Sequence, residues 1–478
     1  MVTPLPSCLL DDSIHMRNST IIDNPIRLKL ASSRWLSFIH SSTKHRLDSA
    51  MQHQIMKLLQ KKHGYEHLAD FKKVWKAIDA SKLWNTADPL TFGKLRQIDD
   101  HIRAKIIYHG PGIKAPPVAA LPKSNPTVSM VIQALLHGGQ FVGNALETEV
   151  AKAIFIAKDH NLLKTFRQEL QCELDNLIAQ PPQNKAEELV WRAFLGNVIA
   201  LLPFTYPSED EIFSIPILEN GLCRRVDYKI HVMPLTVTNL SSPMIALGLT
   251  PQNDEKAPPY LTYIGTTYPA GDGYAGTLLA DFAPAYSVGE AVYKRNHAQI
   301  DAWLQDKENV YAAGTSLGGA MVMHTLIHHS KKFKRIDLFV PPGLYKHCWK
   351  VTLDTQCDVN IFKQRHDFVS KMGMWPTAEN VKLFNILTHQ KGVKENAISS
   401  HARAFSGCDN ITIIKLDPEV DNKSLTRRFL TTLHQAASWI IYVPIKCMLL
   451  FFRAMQCIKQ SCGACISKLK AHTWTVHK

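Results

Sequence analysis

Ser316 stands between Gly314 and Gly318 in the pattern Gly-x-Ser-x-Gly, a spacing that can hold an activated serine hydroxyl. Residues 308–313 before it are short and apolar enough for a buried strand, and residues 321–328 after it contain neither Pro nor Gly. A strand, a tight turn and a helix put the serine on a strained bend, where only small neighbours leave room. The pattern therefore predicts nucleophilic attack by the Ser316 hydroxyl on an acyl carbon.

A serine hydroxyl is a weak nucleophile at neutral pH, so it needs a base, and the base needs an acid that orients it. Asp367 follows the predicted strand 359–362 and should lie at the carboxyl end of that strand. Asp354 and Asp358 precede the same strand and should lie at its other end. Asp367 is therefore the predicted acid.

The base should follow the next predicted strand, 381–386, in the chain. His389 lies directly after this strand, and His434 lies within a helical pattern. His401 lies in a polar stretch with enough chain on either side to reach back to the serine. We favour His401 as the base and keep His389 and His434 as alternatives.

An oxyanion hole needs two backbone N–H groups that point at the developing negative charge. The residue after the nucleophile, Leu317, supplies one of them in a strand–turn–helix arrangement. The predicted strand 260–264 ends in Gly265 and Thr266, and the N–H of Thr266 is the second candidate.

The second half of the chain alternates short β-branched runs with helix-like stretches, which predicts an α/β fold with a largely parallel sheet covered on both faces. The expected strands, given by residue number, are 228–232, 235–238, 244–249, 260–264, 310–313, 336–340, 359–362, 381–386 and 411–416. Ligands of such sheets bind at the carboxyl ends of the strands, where Ser316 is expected.

These segments together resemble the class 3, or fungal-type, lipases of the α/β-hydrolase superfamily. The resemblance covers roughly residues 255–405 and depends on residues 263–266, 312–320 and 366–369. It implies an α/β-hydrolase sheet and a triad of Ser316, Asp367 and His401.

The same resemblance implies that Thr266 is the oxyanion residue and that residues 268–285, which contain three glycines and several apolar side chains, form a lid. The chain departs from the family at Thr315, where a His is usual, and at Ile264, where a polar residue is common. The spacing between the acid and the predicted base is also shorter than usual.

Composition shifts divide the chain into four regions. Residues 1–42 are expected to be loosely ordered, and residues 43–202 to form a helical domain with a Pro-rich linker near 110–126. Residues 203–435 form the predicted lipase-like domain, and residues 436–478 form a basic, apolar, Cys-rich tail. Cys462 and Cys465 have C-x-x-C spacing without a second pair at zinc spacing, so we predict neither a metal nor a cofactor.

The net charge is +14, and residues 422–478 carry nine Lys or Arg and no Asp or Glu. A basic excess beside apolar residues favours an anionic membrane surface over nucleic acid. Residues 436–452 contain one charge, Lys446, and are short for a membrane span because about 20 apolar residues are needed. We expect an interfacial or hairpin-like insertion with Trp439 and Tyr442 at headgroup depth, the alternative being a core helix.

The sequence thus predicts a serine carboxylester hydrolase that acts on lipid esters at a membrane. The alternative is a catalytically inactive hydrolase-like protein that binds a partner at the membrane; the protein partners of the helical region are left open. The N-terminus lacks a basic segment and a long apolar segment, so we expect no Sec signal peptide. We expect a membrane-associated, otherwise cytoplasmic protein, and the basic, signal-less build would also suit a secreted bacterial effector.

Overall fold

A computed structural model describes the chain in ten stretches. They are residues 49–78, 92–113, 160–219, 221–237, 243–266, 274–350, 356–364, 367–389, 401 and 410–475. The loosely ordered N-terminus predicted for residues 1–42 lies outside these stretches, as do residues 114–126 of the linker predicted near 110–126 and residues 268–273 of the predicted lid.

The described helices before residue 202 lie in the region predicted to be helical, with breaks that the sequence explains, whereas the helices Tyr274–Asp281 and Pro418–Asn422 were not predicted. The Pro181–Pro182 pair, for example, separates two helices because proline cannot continue a helix. The helices are α1 Ser49–Lys62, α2 Leu68–Ala77, α3 Phe92–Lys105, α4 His160–Ala179, α5 Lys185–Leu201, α6 Tyr274–Asp281, α7 Glu290–Leu304, α8 Leu317–His329, α9 Pro418–Asn422 and α10 Leu425–Thr475.

Ten described strands form one mixed sheet in the order β1-β10-β9-β8-β7-β6-β5-β4-β3-β2. The strands are β1 Ile106–Gly110, β2 Ile212–Glu219, β3 Leu222–Leu235, β4 Met244–Pro251, β5 Tyr260–Tyr263, β6 Val310–Thr315, β7 Phe333–Phe339, β8 Asp358–Gln364, β9 Val381–His389 and β10 Asn410–Leu416. Eight of the nine predicted strands overlap this set over most of their length, whereas the strand predicted at 235–238 shares only Leu235 with β3, and β1 and β2 were not predicted.

Among the strand pairs whose register the structure describes, three are parallel and four are antiparallel, so the sheet is mixed rather than largely parallel as predicted. Strands β5 to β8 pair in parallel. The pairs β2–β3, β3–β4, β4–β5 and β1–β10 are antiparallel. The physical reason is local: short loops join β2, β3, β4 and β5, and only long connections allow parallel pairing.

Helices cover both faces of the central strands, as the alternating pattern predicts. The Thr262 hydroxyl donates to the Ile199 carbonyl of α5 at 3.4 Å, and the Tyr263 hydroxyl lies 2.7 Å from the Thr325 hydroxyl of α8. Successive strand residues point to opposite faces, so α5 and α8 lie on opposite sides of β5. The overall class is therefore α/β with a mixed sheet.

The chain forms two compact units. One contains the residues up to Gly110 together with Asn385–His389 and Asn410–Leu416, and the other contains the remainder. The first unit has its own apolar core, in which Phe71, Val74 and Ile98 are fully buried. Helices α4 and α5 belong to the second unit with the central strands. The boundaries predicted at residues 42, 202 and 435 stay predictions.

Two described helical segments are long and apolar enough to cross a membrane, Lys185–Thr205 and Leu425–Met455. The first is mostly buried and is a core helix that contains α5, whereas the second is mostly exposed. Helix α10 runs without interruption through Pro444, and the hairpin-like form of the insertion stays a prediction. One proline removes one backbone hydrogen bond, and flanking turns can carry the helix past it.

Candidate active site

Ser316 occupies the sharp bend between β6 and α8. Its backbone has φ 53° and ψ −125°, a conformation that L residues rarely adopt. The Ser316 N–H donates to the Phe339 carbonyl at 3.0 Å, which anchors the bend to β7. A Cβ on Gly314 would lie 2.6 Å from the Gly318 backbone, and one on Gly318 would lie 2.3 Å from the Tyr263 carbonyl oxygen. Both glycines are therefore required by the close approach of strand and helix.

His401 connects Ser316 to Asp367. Its Nε2 lies 2.9 Å from the Ser316 Oγ, and its Nδ1 lies 2.9 Å from the Asp367 Oδ1. The three residues come from three different segments and stand in the chain order Ser, Asp, His. The structure thus brings together the three predicted site residues at hydrogen-bond distance.

The Asp367 carboxylate is fully buried and held by the 3₁₀ turn Val369–Lys371 that follows it. The N–H of Val369 donates to its Oδ1 at 2.9 Å, and the N–H of Ser370 donates to its Oδ2 at 3.1 Å. Burial alone would raise the pKa of Asp367, but the nearby His401 and these donors outweigh it and lower that pKa. Asp367 is therefore held as a carboxylate that faces the imidazole.

The alternatives to these residues lie elsewhere. His434 is buried on α10, and its Nδ1 lies 2.7 Å from the Tyr345 hydroxyl rather than at Ser316. His389 is the last residue of β9. Asp358 begins β8, at the end opposite to Asp367, and pairs with Lys382. Asp354 lies outside the described residues.

The segments that carry the two predicted oxyanion donors, Leu317 and Thr266, meet at the bend of Ser316. Leu317 is the first residue of α8, so its N–H has no acceptor within the helix. Thr266 follows Gly265, at which a Cβ would lie 3.0 Å from the Thr315 carbonyl oxygen, so this loop passes directly beside the bend. The helix dipole adds positive potential at the same point.

Asp281 contacts the predicted oxyanion residue Thr266 and was not among the residues predicted from the sequence. It ends α6, and its carboxylate accepts a hydrogen bond from the Thr266 hydroxyl at 2.8 Å. Burial raises the pKa of Asp281 to about 7, although the Thr266 hydrogen bond and the nearby His401 both lower it. Its only signal in the sequence is a single acid in the apolar run 278–282 of the predicted lid.

The larger of two described grooves, about 400 Å³, lies away from the triad. Its lining includes Pro284, Tyr286, Trp439 and Leu450, so α10 forms one wall. It is an apolar surface groove rather than the site of the predicted chemistry.

Among the described residues, one group could supply three metal ligands, Glu290, His347 and Cys348. The Glu290 carboxylate already accepts hydrogen bonds from Lys294 at 2.7 Å and from the Ser287 N–H at 2.8 Å. Glu290 is therefore the centre of an ion-pair network. None of these contacts includes Ser316, Asp367 or His401.

The chain was also compared with known proteins. No protein-family model matches it, and no curated protein is similar to it. The chemistry of the site therefore has to be argued from its own geometry.

Proposed function

We propose that the protein is a serine carboxylester hydrolase of the lipase or phospholipase type, with an α/β-hydrolase fold related to the class 3 lipases. The observation that carries the proposal is the pair of 2.9 Å contacts of His401, one to Ser316 and one to Asp367. A chain of acid, imidazole and hydroxyl is the arrangement that activates a serine.

In the proposed acylation step, His401 Nε2 accepts the hydroxyl proton while Ser316 Oγ bonds to the ester carbonyl carbon. The imidazolium then donates that proton to the leaving alkoxide as the acyl–oxygen bond breaks. Asp367 keeps Nδ1 protonated and stabilises the imidazolium, without itself taking the proton. Water repeats the sequence with the acyl-enzyme and releases a carboxylic acid.

The tetrahedral intermediate has a negative oxygen that needs donors in place beforehand. We assign that role to the backbone N–H groups of Leu317 and Thr266. The hydrogen bond from the Thr266 hydroxyl to Asp281 supports the assignment, because it fixes the loop that carries the second donor. Removal of one such donor typically costs about 10²- to 10³-fold in kcat.

The proposed substrate is a lipid ester, and α10 supports this choice. The exposed apolar segment Leu425–Met455 carries Trp439 at 61% exposure and Ile440 at 74%. Lys446 and Arg453 are also exposed, which suits an anionic lipid surface. We propose that the protein associates with a membrane through this segment, peripherally or with the segment inserted, and is otherwise cytoplasmic or delivered as an effector.

The test compares the wild-type protein with Ser316→Ala in hydrolysis of soluble short-chain esters and of phospholipid vesicles. Labelling with a fluorophosphonate, which phosphonylates activated serines, measures the nucleophile directly. We expect hydrolysis and labelling in the wild-type protein and neither in the variant. Ser438→Ala is the control, because Ser438 is a buried serine on α10 outside the triad.

Equal activity in the wild-type protein and Ser316→Ala would overturn the proposal. Absence of labelling in the folded wild-type protein would favour a hydrolase-like binding protein at a membrane.

A further inference from the structure

The loop after β8 carries the proposed acid, and its conformation determines where the acid points. We define the acid loop as residues 367–375. The two N–H donors to the Asp367 carboxylate belong to Val369 and Ser370 of this loop. A contact that fixes the backbone at Ser370 therefore also fixes the position of the Asp367 carboxylate.

Arg427 of α10 is bonded to this backbone at three points. Its Nη2 donates to the Ser370 carbonyl at 2.7 Å, and its Nη1 donates to the carbonyls of Met372 and Gly373 at 2.9 Å each. The guanidinium also lies 4.5 Å from the centre of the Trp375 ring. Only an arginine offers several donors in a planar fork that can serve three carbonyls at once.

Burial of the Arg427 charge costs desolvation free energy, so its presence at this position needs an explanation. Its side chain is 3% exposed and pairs with Asp421 at 2.6 Å. An apolar side chain could fill the same space without the desolvation of a charge. What an apolar side chain could not do is bind three carbonyl groups of one loop.

We infer that Arg427 is a positioning residue for the proposed triad, acting through Ser370 on Asp367. A continuous chain of hydrogen bonds runs from Arg427 to the Ser370 carbonyl, from the Ser370 N–H to Asp367, and from Asp367 through His401 to Ser316. The inference rests on the proposed function, since it assigns Arg427 a role in that reaction.

Neighbouring residues hold the acid loop from the same side. The Gly373 N–H donates to the Thr431 hydroxyl, one turn along α10, at 2.9 Å. The Trp375 N–H donates to Asn422 at 2.8 Å, and the Trp375 indole donates to Asp421 at 2.8 Å. Arg427 is the member of this set that reaches the residue bonded to the carboxylate.

The experiment compares Arg427→Met and Arg427→Lys with Arg428→Met in the full chain. Arg428 is exposed on the same helix, so its substitution removes the same charge away from the acid loop. With a soluble short-chain ester, we expect Arg427→Met to lower kcat about 10- to 100-fold with little change in KM, because a small displacement of an orienting group costs that much. Arg427→Lys keeps the charge but not the fork, and we expect it to recover only part of kcat.

A double-mutant comparison separates positioning from general stability. In an Asp367→Asn background, the carboxylate that Arg427 positions no longer exists, so Arg427→Met should lower the residual kcat less than 3-fold, on the order of the scatter for independent sites. If the decrease in kcat of the double variant equals the product of the decreases in the two single variants, the inference is overturned. A wild-type kcat for Arg427→Met would also overturn it. If Arg427→Met does not fold, Thr431→Val loosens the same loop and should lower kcat about 3- to 10-fold.

The outcome for Ser316→Ala keeps this inference distinct from the proposed function. An active Ser316→Ala protein would overturn the function itself. An inactive Ser316→Ala together with an unaffected Arg427→Met would overturn only the positioning role.

Discussion

The Thr266 hydroxyl donates to the Asp281 carboxylate at 2.8 Å and so joins the loop after β5 to the end of α6. His434 of α10 also contacts this helix end, with its ring 5.1 Å from that of Phe282. The proposed oxyanion residue and the long helix therefore both contact the end of α6. Burial raises the pKa of Asp281 to about 7, so we expect the hydrogen bond from Thr266 to Asp281 to depend on pH.

We expect the protein to lose stability as pH rises from about 4 to about 7 because of Asp281. Its folded-state pKa is raised to about 7, so the folded protein binds the proton more tightly than the unfolded chain over that window. Asp281→Asn removes this titration. The free energy of unfolding of the variant should exceed that of the wild-type protein at pH 8 by about 1–2 kcal/mol, and the difference should vanish near pH 4.

Denaturant unfolding at pH 4, 6 and 8 measures this difference. Asp306→Asn is a suitable control, because Asp306 is exposed and its pKa is lowered, so its substitution should not stabilise the protein at pH 8. A variant at Asp281 that is less stable than the wild-type protein at pH 8 would contradict the prediction.

Asp367 should show the opposite dependence. Its folded-state pKa is lowered, so its contribution to stability is present above its usual pKa and is lost as pH falls through the folded value. Asp367→Asn should therefore weaken the acid dependence of unfolding. It should also lower kcat by up to about 10⁴-fold, because the amide favours the wrong imidazole tautomer. The pH series and the ester assay measure the two effects separately.

The choice of base can be tested at three histidines. His401→Ala should lower the rate of fluorophosphonate labelling about 10³-fold or more, because nothing then accepts the Ser316 proton. His389→Ala should label at the wild-type rate. His434→Ala removes a buried contact to Tyr345 without touching the serine, so it should lower thermal stability while labelling persists. Labelling of His401→Ala at the wild-type rate would mean that His389 or His434 is the base.

The strained bend gives a fourth prediction. A Cβ on Gly318 would lie 2.3 Å from the Tyr263 carbonyl, a backbone atom that cannot move aside. Gly318→Ala should therefore cost about 3 kcal/mol or more and abolish labelling. Gly221→Ala is the control, since its Cβ would meet nothing within 4 Å and only its positive φ resists the change. Thermal unfolding of both variants provides the comparison.

The sequence predicted those parts of the site that depend on local rules. Gly314 and Gly318 indicate the bend because no other residue fits there, and the order of Asp367 and His401 after Ser316 follows from the order of the strands. The antiparallel pairing of β1 with β10 joins segments about 300 residues apart, for example His109 with Thr412. No local pattern encodes such a pairing.

Asp281 and Arg427 were missed for a different reason. In sequence, Asp281 is a single acid between apolar neighbours and Arg427 is one of two adjacent arginines, and the proposed role of each comes from the residues that it contacts. Arg427 lies in a basic, apolar region that favours a membrane surface, yet its side chain is among the most buried of the described charged groups. Such contacts become visible only when α10 is seen to pack against the acid loop.

A truncation within α10 should therefore separate its two proposed roles, support of the acid loop and binding to a membrane. Among the side chains of this helix that the structure describes, the buried ones are Arg427, His434 and Ser438, and most of the exposed large apolar residues follow Ser438. A chain that ends at Ser438 keeps every contact to the acid loop, so hydrolysis of a soluble ester should stay within about 3-fold of wild type, as expected for a distant change. Hydrolysis of anionic phospholipid vesicles should fall at least about 10-fold, since membrane binding needs buried apolar area.

A full-length Lys446→Glu, Arg453→Glu protein is the matched control. It keeps the apolar surface, so it should lose binding to anionic vesicles at low salt while binding to neutral vesicles persists. A chain that ends at Ser424, before Arg427, should lose hydrolysis of both substrates because the acid loop is then unsupported. Full vesicle binding by the chain that ends at Ser438 would show that the exposed part of α10 does not bind lipid.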